Sequence, residues 1–475
     1  MSRVAGTFVG RRRQLALLER ELAEVRSSGR GRFVLLRGRR RVGKSRLVTE
    51  FLAREQPPSV FFAATPAPPD RELTRFADAV ERSTLPVASM IRSGTAFTSW
   101  EAALSAVAMS GDGDACVVVL DELPYLVDGR PDVEAQLQHV WDQVLEHHPV
   151  LLVAIGSDLA MMSALTGYGR PLFGRPTREI VLGPLTVAEL ADLLDLAPTE
   201  AMEAMLVVGG FPLVAQSWAP GLGRREFLRQ ALADPTSPLI VTGERALAAE
   251  FPDPAARAAL SAVGAGETTF TTIANRTGLP QTTLRRTLDA LVHKRILVAE
   301  QPLSTRPATK LTRYRVDDPY LRFWLRFVEP GLDEIERGRA DLAAARVEEN
   351  WQTYRGRAVE PLVRGGIDRL LPDPRFGDAR RVGGYWTRSN DVEVDLVGTA
   401  GTCSPSRVAM VGSVKWREQR AFDRADLAAL HRARDQVPGT DAATLLVAVS
   451  RAGKPTTGLD AHLGPADLVE AWRER

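Results

Sequence analysis

Lysine is scarce in this chain. Of 61 basic residues only Lys44, Lys294, Lys310, Lys415 and Lys454 are lysines, so each marks a position where a compact, rotatable ammonium stands in place of a planar guanidinium. Cysteine is scarcer still. Cys116 and Cys403 lie far apart in chemically different segments, which leaves no disulfide framework and no thiolate metal site and fits a reduced, cytoplasmic protein. No segment approaches the roughly 18 apolar residues of a membrane span, and Met1-Ser2-Arg3-Val4-Ala5-Gly6 lacks a signal-peptide core. A soluble protein with no membrane partner is expected. Charge is balanced as well, with a net +2, so nucleic-acid binding would have to come from a local patch. What the chain does have is length: 475 residues, 44% hydrophobic and 25% charged, is ordinary globular composition and enough for about three or four domains.

The most informative stretch is Gly38-Arg39-Arg40-Arg41-Val42-Gly43-Lys44-Ser45. The apolar run Phe33-Val34-Leu35-Leu36 before it predicts a buried strand. Arg46-Leu47-Val48-Thr49-Glu50-Phe51-Leu52 after it has helical spacing. Strand, glycine-bounded loop and helix is the context in which the Walker A pattern has a mechanism: backbone N–H groups and the positive end of the helix converge on one anion. A nucleotide phosphate is the expected ligand, with Arg39, Arg40, Arg41, Val42 and Arg46 completing the cradle. Lys44 would reach the β and γ phosphates, and Ser45 would hold Mg²⁺. The bland alternative is a glycine-rich surface turn that contains a lysine.

Further elements suit the same chemistry. Phe8-Val9-Gly10-Arg11 leads into a helix with Leu15, Leu18, Leu22 and Val25 on one face; Arg11 is either a neighbour of the base or ribose or a plain surface arginine. Cys116-Val117-Val118-Val119-Leu120 reads as a strand ending at Asp121-Glu122. Acids at that end are the Walker B arrangement, with Asp121 on the Mg²⁺ water shell and Glu122 as general base. A second strand, Val150 to Gly156, ends at Ser157, which can sense a γ phosphate or simply cap the next helix. Arg170 and Arg175 lie in a Gly/Pro-rich loop, and Arg175 is favoured as the cation that neutralises transition-state charge, in its own subunit or in a neighbouring one of a homo-oligomer. The helical pattern through Leu190, Leu193, Leu194 and Met205, ending at Gly209-Gly210-Phe211-Pro212, predicts a helical lid.

Around residues 255–330 short helices give way to a hairpin. Ile273, Ala274 and Leu279 enclose a turn at Gly278, and Leu284, Leu288, Leu291 and Val292 form one helical face opposite Thr282, Thr283, Arg285 and Arg286. That is a helix-turn-helix pattern with a basic exposed face. Ile296 to Glu300 and Leu311 to Val316 can pair around Ser304-Thr305-Arg306-Pro307 as a wing carrying Arg306, Lys310, Arg313 and Arg315. DNA is the expected partner, with the wing on phosphates and the helix on bases; a protein-contacting winged helix is the alternative.

Residues 345–475 predict a further α/β segment. Glu360 falls on a helix expected to begin near Asn350, Asp395 on the strand Val392 to Val397, and Lys415 at the end of the strand Val408 to Trp416. An acid from a helix, an acid on one strand and a lysine on the next is how restriction-endonuclease-like nucleases gather a divalent metal around a phosphate. Ser413, however, stands two residues before Lys415, where a metal-binding acid belongs. A hydroxyl brings no negative charge to oppose Mg²⁺, so a degenerate, structural or nucleic-acid-clamping domain is the stronger expectation.

Taken together, the Phe8-Val9-Gly10-Arg11 turn, GRRRVGKS, LDELPYL at Leu120 to Leu126, Gly156-Ser157, PLFGRPT at Pro171 to Thr177, GGFP at Gly209 to Pro212 and YRVDDPYLRFW at Tyr314 to Trp324 resemble the archaeal-type ATPase family of archaea and bacteria. The C-terminal part, with EVDLV and the Val-Lys-Trp strand, looks like that family's associated DUF234-like domain. The resemblance implies an α/β protein: a P-loop ATPase core at 1–185, a helical lid at 186–250, a winged helix at 251–335 and a restriction-endonuclease-like domain at 345–475. The expected function is a Mg²⁺-dependent ATPase of switch type coupled to DNA. An ATP-gated DNA nuclease and a non-hydrolysing, nucleotide-responsive transcription regulator are the alternatives.

Overall fold

The computed structural model describes residues 8–473 except 112, 129, 158, 251–252, 307, 402–406 and 454–455. Cys403, Lys454, Asp112, Asp158, Pro307 and the Met1 to Gly6 segment therefore lie outside the described residues. The chain divides into two compact units, one ending at Pro184 and the other running from Leu185 to Arg473.

The first unit is built on five parallel strands: β1 (Arg32–Arg37), β2 (Ser59–Ala63), β3 (Cys116–Asp121), β4 (Val150–Gly156) and β5 (Arg178–Val181), in the order β2-β3-β4-β1-β5. The central strands β3 and β4 are buried along their whole length, as sheets covered by helices on both faces require. Side chains alternate between two cores. Phe33, Leu35, Val118, Leu120, Leu152 and Ala154 pack on one face; Val34, Leu36, Val117, Val119, Leu151 and Val153 pack on the other.

On the latter face lies α1 (Arg12–Ser28), whose Leu15, Leu18, Leu22 and Val25 are buried as their spacing predicts. The loop after β1 leads into α2 (Lys44–Glu55). Beyond β3 come the short α3 (Leu123–Val127) and then α4 (Pro131–Gln143). The chain leaves β1 for β2 on one side and returns to β5 on the other, and in open parallel sheets ligands bind at the carboxyl ends of the strands where the order reverses.

The second unit has one continuous core running from Val187 to Val469. It includes α5 (Val187–Leu194) and α6 (Pro198–Val208) of the expected lid, then α7 (Pro254–Ala265), α8 (Phe270–Thr277) and α9 (Gln281–His293). A two-stranded antiparallel hairpin follows, β6 (Leu297–Glu300) with β7 (Arg313–Val316). The boundaries expected near 250 and 335 fall inside this unit. Next stand α10 (Ala340–Ala358) and α11 (Glu360–Leu370). One helix was expected here, starting near Asn350; the structure has two, because Pro361 has no N–H for a continuing helix and instead opens a new first turn headed by Glu360.

The last sheet comprises β8 (Arg381–Trp386), β9 (Glu393–Ala400), β10 (Arg407–Lys415), β11 (Leu445–Ser450) and β12 (Ala461–Leu463), in the order β12-β11-β10-β9-β8. Its β10, β11 and β12 run parallel, while β9 pairs antiparallel with both β10 and β8. Among the described residues no helix is long and apolar enough to cross a membrane.

Candidate functional site

The loop between β1 and α2 turns through two left-handed residues, Arg41 (φ 67°) and Gly43 (φ 95°). A Cβ on Gly38 would sit 2.3 Å from the Leu182 carbonyl oxygen, so only glycine lets the loop start so close to the chain beyond β5. Gly43 caps α2 without a side-chain hydrogen bond, and the first turn of α2 holds no acid. Its leading N–H groups point where an anion is stabilised. Lys44 is buried at that terminus; its Nζ donates to the carbonyl oxygens of Gly38 (2.7 Å) and Arg39 (3.0 Å).

The acids of β3 meet this loop through hydroxyls. Ser45 Oγ donates to Asp121 Oδ2 at 2.6 Å, and Asp121 Oδ1 accepts from the Glu122 amide at 2.9 Å. Glu122 is held at φ 54°, a left-handed strain of roughly 1–3 kcal/mol for a non-glycine residue, of the kind that concentrates at functional sites. Its carboxylate accepts from Ser157 Oγ at 2.9 and 2.8 Å. The order β3-β4-β1 explains why: Ser157 stands at the end of β4, between the loop and the acids.

Burial pushes the Lys44 ammonium below its ordinary pKa; Glu122 and Asp121 oppose that shift and the nearby Arg40 adds to it. Burial likewise raises the Asp121 carboxyl, against the hydrogen bond from Ser45. A buried lysine, an uncapped helix terminus and a hydroxyl-carboxylate pair are the donor set that a Mg²⁺-nucleotide requires. Residues 7–154 match the family model of the AAA ATPase domain.

The chain carries an AAA ATPase domain. A second family model, of archaeal and bacterial proteins of unknown function (DUF234), matches residues 324–427. Over 420 residues the chain is 24% identical to the uncharacterized protein MJECL04 of Methanocaldococcus jannaschii, spanning 88% of this chain and 89% of that one. Among solved structures it is similar to the Walker-type ATPase PABY2304 of Pyrococcus abyssi, with 19% identity, 67% of this chain and 96% of that chain covered, and a TM-score of 0.47. It is also similar to the ORC2 protein of Aeropyrum pernix, with 14% identity, 71% and 97% covered, and a TM-score of 0.45. The sheet order and the loop geometry, rather than likenesses of this size, establish the architecture of the ATPase domain.

Other predicted residues of the ATPase domain are placed differently. Arg11 is buried and donates to the carbonyl oxygens of Val42 (3.3 Å), Gly183 (2.7 Å) and Pro184 (3.3 Å); it braces the loop backbone against the last residues of the unit. Arg175 forms a two-point pair with Asp142 (2.8 and 2.7 Å) and donates to the carbonyls of Pro171 and Phe173. Thr177, two residues on, bonds the Phe33 carbonyl at the start of β1. The structure therefore sets Arg175 by the amino end of the strand whose carboxyl end carries the loop, and does not bring it to Lys44. Arg170 pairs in the same manner with Glu134. Arg46 reaches along α2 toward Glu50 at 3.9 Å. Sequence reasoning missed Tyr125 of α3, whose hydroxyl accepts from Arg40 at 2.8 Å; its place one helical turn after Glu122 is the signal that could have found it.

In the second unit, Glu360 and Asp395 do come together, but around an arginine. Arg364 donates to Glu360 (2.9 Å), to Glu300 of β6 (3.3 Å) and to the Asp395 carbonyl oxygen (2.9 Å). Asp395 Oδ2 accepts from Ser413 Oγ (3.0 Å) and the Val414 amide (2.7 Å). Burial, then the neighbouring Asp395, push the Glu360 carboxyl up to about 7, with Arg364 opposing. Lys415 is half-buried on the same strand as Ser413. Among the described residues no group of three or more His, Cys, Asp or Glu is placed to hold a metal. Arg364, one turn beyond Glu360 on the same helix, was readable from its spacing.

On α9, Thr282, Arg285 and Arg286 are exposed and Thr283 is half-buried. Arg285 lies over the Phe270 ring, 4.7 Å from its centroid. In the hairpin, Arg306 and Lys310 are exposed. Arg313 instead donates to Glu393 (2.6 Å) and Asn390 (2.8 Å) and stacks on Trp386, while Arg315 pairs with Glu300 and Asp317. The hairpin loop rests on the last sheet and its connections: the Leu303 amide donates to the Gly384 carbonyl (2.8 Å), Thr305 Oγ1 to the Pro438 carbonyl (3.2 Å) and Trp386 Nε1 to the Leu311 carbonyl (2.9 Å).

Proposed function

We propose that this protein is a Mg²⁺-dependent ATPase whose winged helix, α7 to β7, binds duplex DNA. The observation that carries the reading is the 2.6 Å bond between Ser45 and Asp121, which joins the first turn of α2 to the end of β3. The first-turn amides of α2 and Lys44 bind the phosphates. Ser45 and Asp121 would hold Mg²⁺, which supplies charge neutralisation of the polyphosphate when bound. Glu122 takes a proton from the attacking water, and Ser157, bonded to both of its oxygens, fixes the carboxylate's orientation.

DNA binding is supported by the exposed Thr282, Arg285 and Arg286 on α9, with the exposed Arg306 and Lys310 of the hairpin loop as phosphate contacts. A nuclease reading is disfavoured, since Arg364 already supplies positive charge among Glu300, Glu360 and Asp395. The test is phosphate release by wild type and Lys44→Ala, with and without duplex DNA at two salt concentrations. The reading expects release by wild type alone, altered by DNA, and binding that weakens as salt rises. Equal release from the two proteins contradicts it.

A further inference from the structure

We infer that Arg40 is the cation that the chain itself brings to the γ phosphate, so that the phosphate loop carries its own transition-state arginine. The inference rests on the ATPase reading above.

Arg40 leaves the loop and turns toward the ends of β3 and β4. Its Nη2 donates to Tyr125 OH at 2.8 Å and its Nε to Ser157 Oγ at 3.4 Å. Ser157 in turn donates to the Glu122 carboxylate. A directional chain, guanidinium to hydroxyl to carboxylate, thus links the loop to the residue that takes the water's proton.

The partners set Arg40 apart from Arg170 and Arg175. Arg175 and Arg170 are each held by a carboxylate at two points, on Asp142 and Glu134, and such charge-assisted pairs are the strong ones. Arg40 is exposed, and its side-chain hydrogen bonds among the described residues go to two neutral hydroxyls. Hydroxyls orient a guanidinium without neutralising it, and they are easily given up for a phosphate oxygen. Tyr125 and Ser157 are accordingly the rests of a poised charge. An arginine delivered to a transferring phosphoryl group is worth about 10³-fold or more in rate. Its interaction is with the γ phosphate, so it separates ATP from ADP.

The experiment compares wild type, Arg40→Gln and Tyr125→Phe in three measurements with Mg²⁺: phosphate release, trapping of ADP by aluminium fluoride, and equilibrium affinity for ADP against a non-hydrolysable ATP analogue. For Arg40→Gln the inference expects release lowered about 10³-fold, no trapped complex, an analogue affinity down about tenfold, and ADP affinity unchanged. Tyr125→Phe keeps the charge and loses one rest, so it still traps and loses no more than about tenfold in rate. Mixing Arg40→Gln with Lys44→Ala, which carries an intact Arg40, should not restore release.

The inference is overturned by normal trapping in Arg40→Gln, by restoration in the mixture, which would place the cation in a neighbouring subunit, or by parallel loss of ADP and analogue affinity. A wild type that binds neither nucleotide would instead sink the ATPase reading.

Discussion

Two places in this molecule gather carboxylates at the end of a strand, and they treat them in opposite ways. In the ATPase domain, Asp121 and Glu122 are held by the hydroxyls of Ser45 and Ser157, donors that orient a carboxylate without cancelling its charge. In the second unit, Glu300 and Glu360 are bound by the guanidinium of Arg364, which also takes the Asp395 carbonyl. The first arrangement keeps negative charge for a cation arriving with a ligand. The second supplies its own cation and ties β6 of the hairpin to α11. One sequence feature, acids near a strand end, therefore serves two purposes, and the chemical type of the hydrogen-bond donor tells them apart.

The comparison can be broken most decisively at Asp121. Asp121→Asn should lower phosphate release by about 10³-fold, because an amide brings no charge to Mg²⁺. Its effect on stability should run the other way. The native pKa of Asp121 is raised by burial, so its contribution to stability is present at acid pH and is lost as pH rises through that native value. The asparagine variant should thus unfold at the same or a higher temperature than wild type at pH 7 without nucleotide. A drop of several degrees would contradict the hydroxyl-held picture.

In the second unit the order reverses, with a large stability effect and no chemistry. Arg364→Ala strands Glu360 and leaves Glu300 to Arg315 alone, and should cost about 3 kcal/mol in denaturant unfolding. ATP hydrolysis in the absence of DNA should be unaffected. Glu360 sharpens the contrast through pH. Its native pKa of about 7 lies above the ordinary 4.5, so its stabilising contribution is complete below pH 4.5 and disappears as pH climbs to 7. Glu360→Gln should remove that decline, worth roughly 2–3 kcal/mol, and superimposable pH profiles for the two proteins would contradict the burial of a charge there.

The smallest effects are expected in DNA binding. Arg286→Ala should weaken it by about 1 kcal/mol and reduce the salt slope by about one. Arg313→Ala, already committed to Glu393 and Asn390, should leave affinity for DNA unchanged. Equal losses from the two would put the hairpin arginine on DNA and off the sheet.

Much of this was legible in the sequence where the signal is local. The β1 run, the glycine spacing of the loop, the Leu15 to Val25 stripe and the acids closing β3 are each set within a few residues by periodicity or backbone demand. What escaped depends on partners remote in the chain. Nothing near Arg175 announces Asp142 on α4, and nothing near Arg313 announces Glu393, 80 residues away. The break before Glu360 was within reach, because Pro361 stands beside it, but the apolar spacing on either side masked it. At Arg40 the residue type was visible while its direction was not, since a run of three arginines gives no hint which one turns toward Tyr125.

The claim on which the rest depends is that the turn between β1 and α2 binds a nucleotide triphosphate together with Mg²⁺. Calorimetric titration of a non-hydrolysable ATP analogue tests it most directly, with Mg²⁺ or with chelator, into wild type and Lys44→Ala. One site per chain in wild type is expected, weakened by chelator and lost in Lys44→Ala. Identical heats from the two proteins, or no heat from wild type in Mg²⁺, would contradict it.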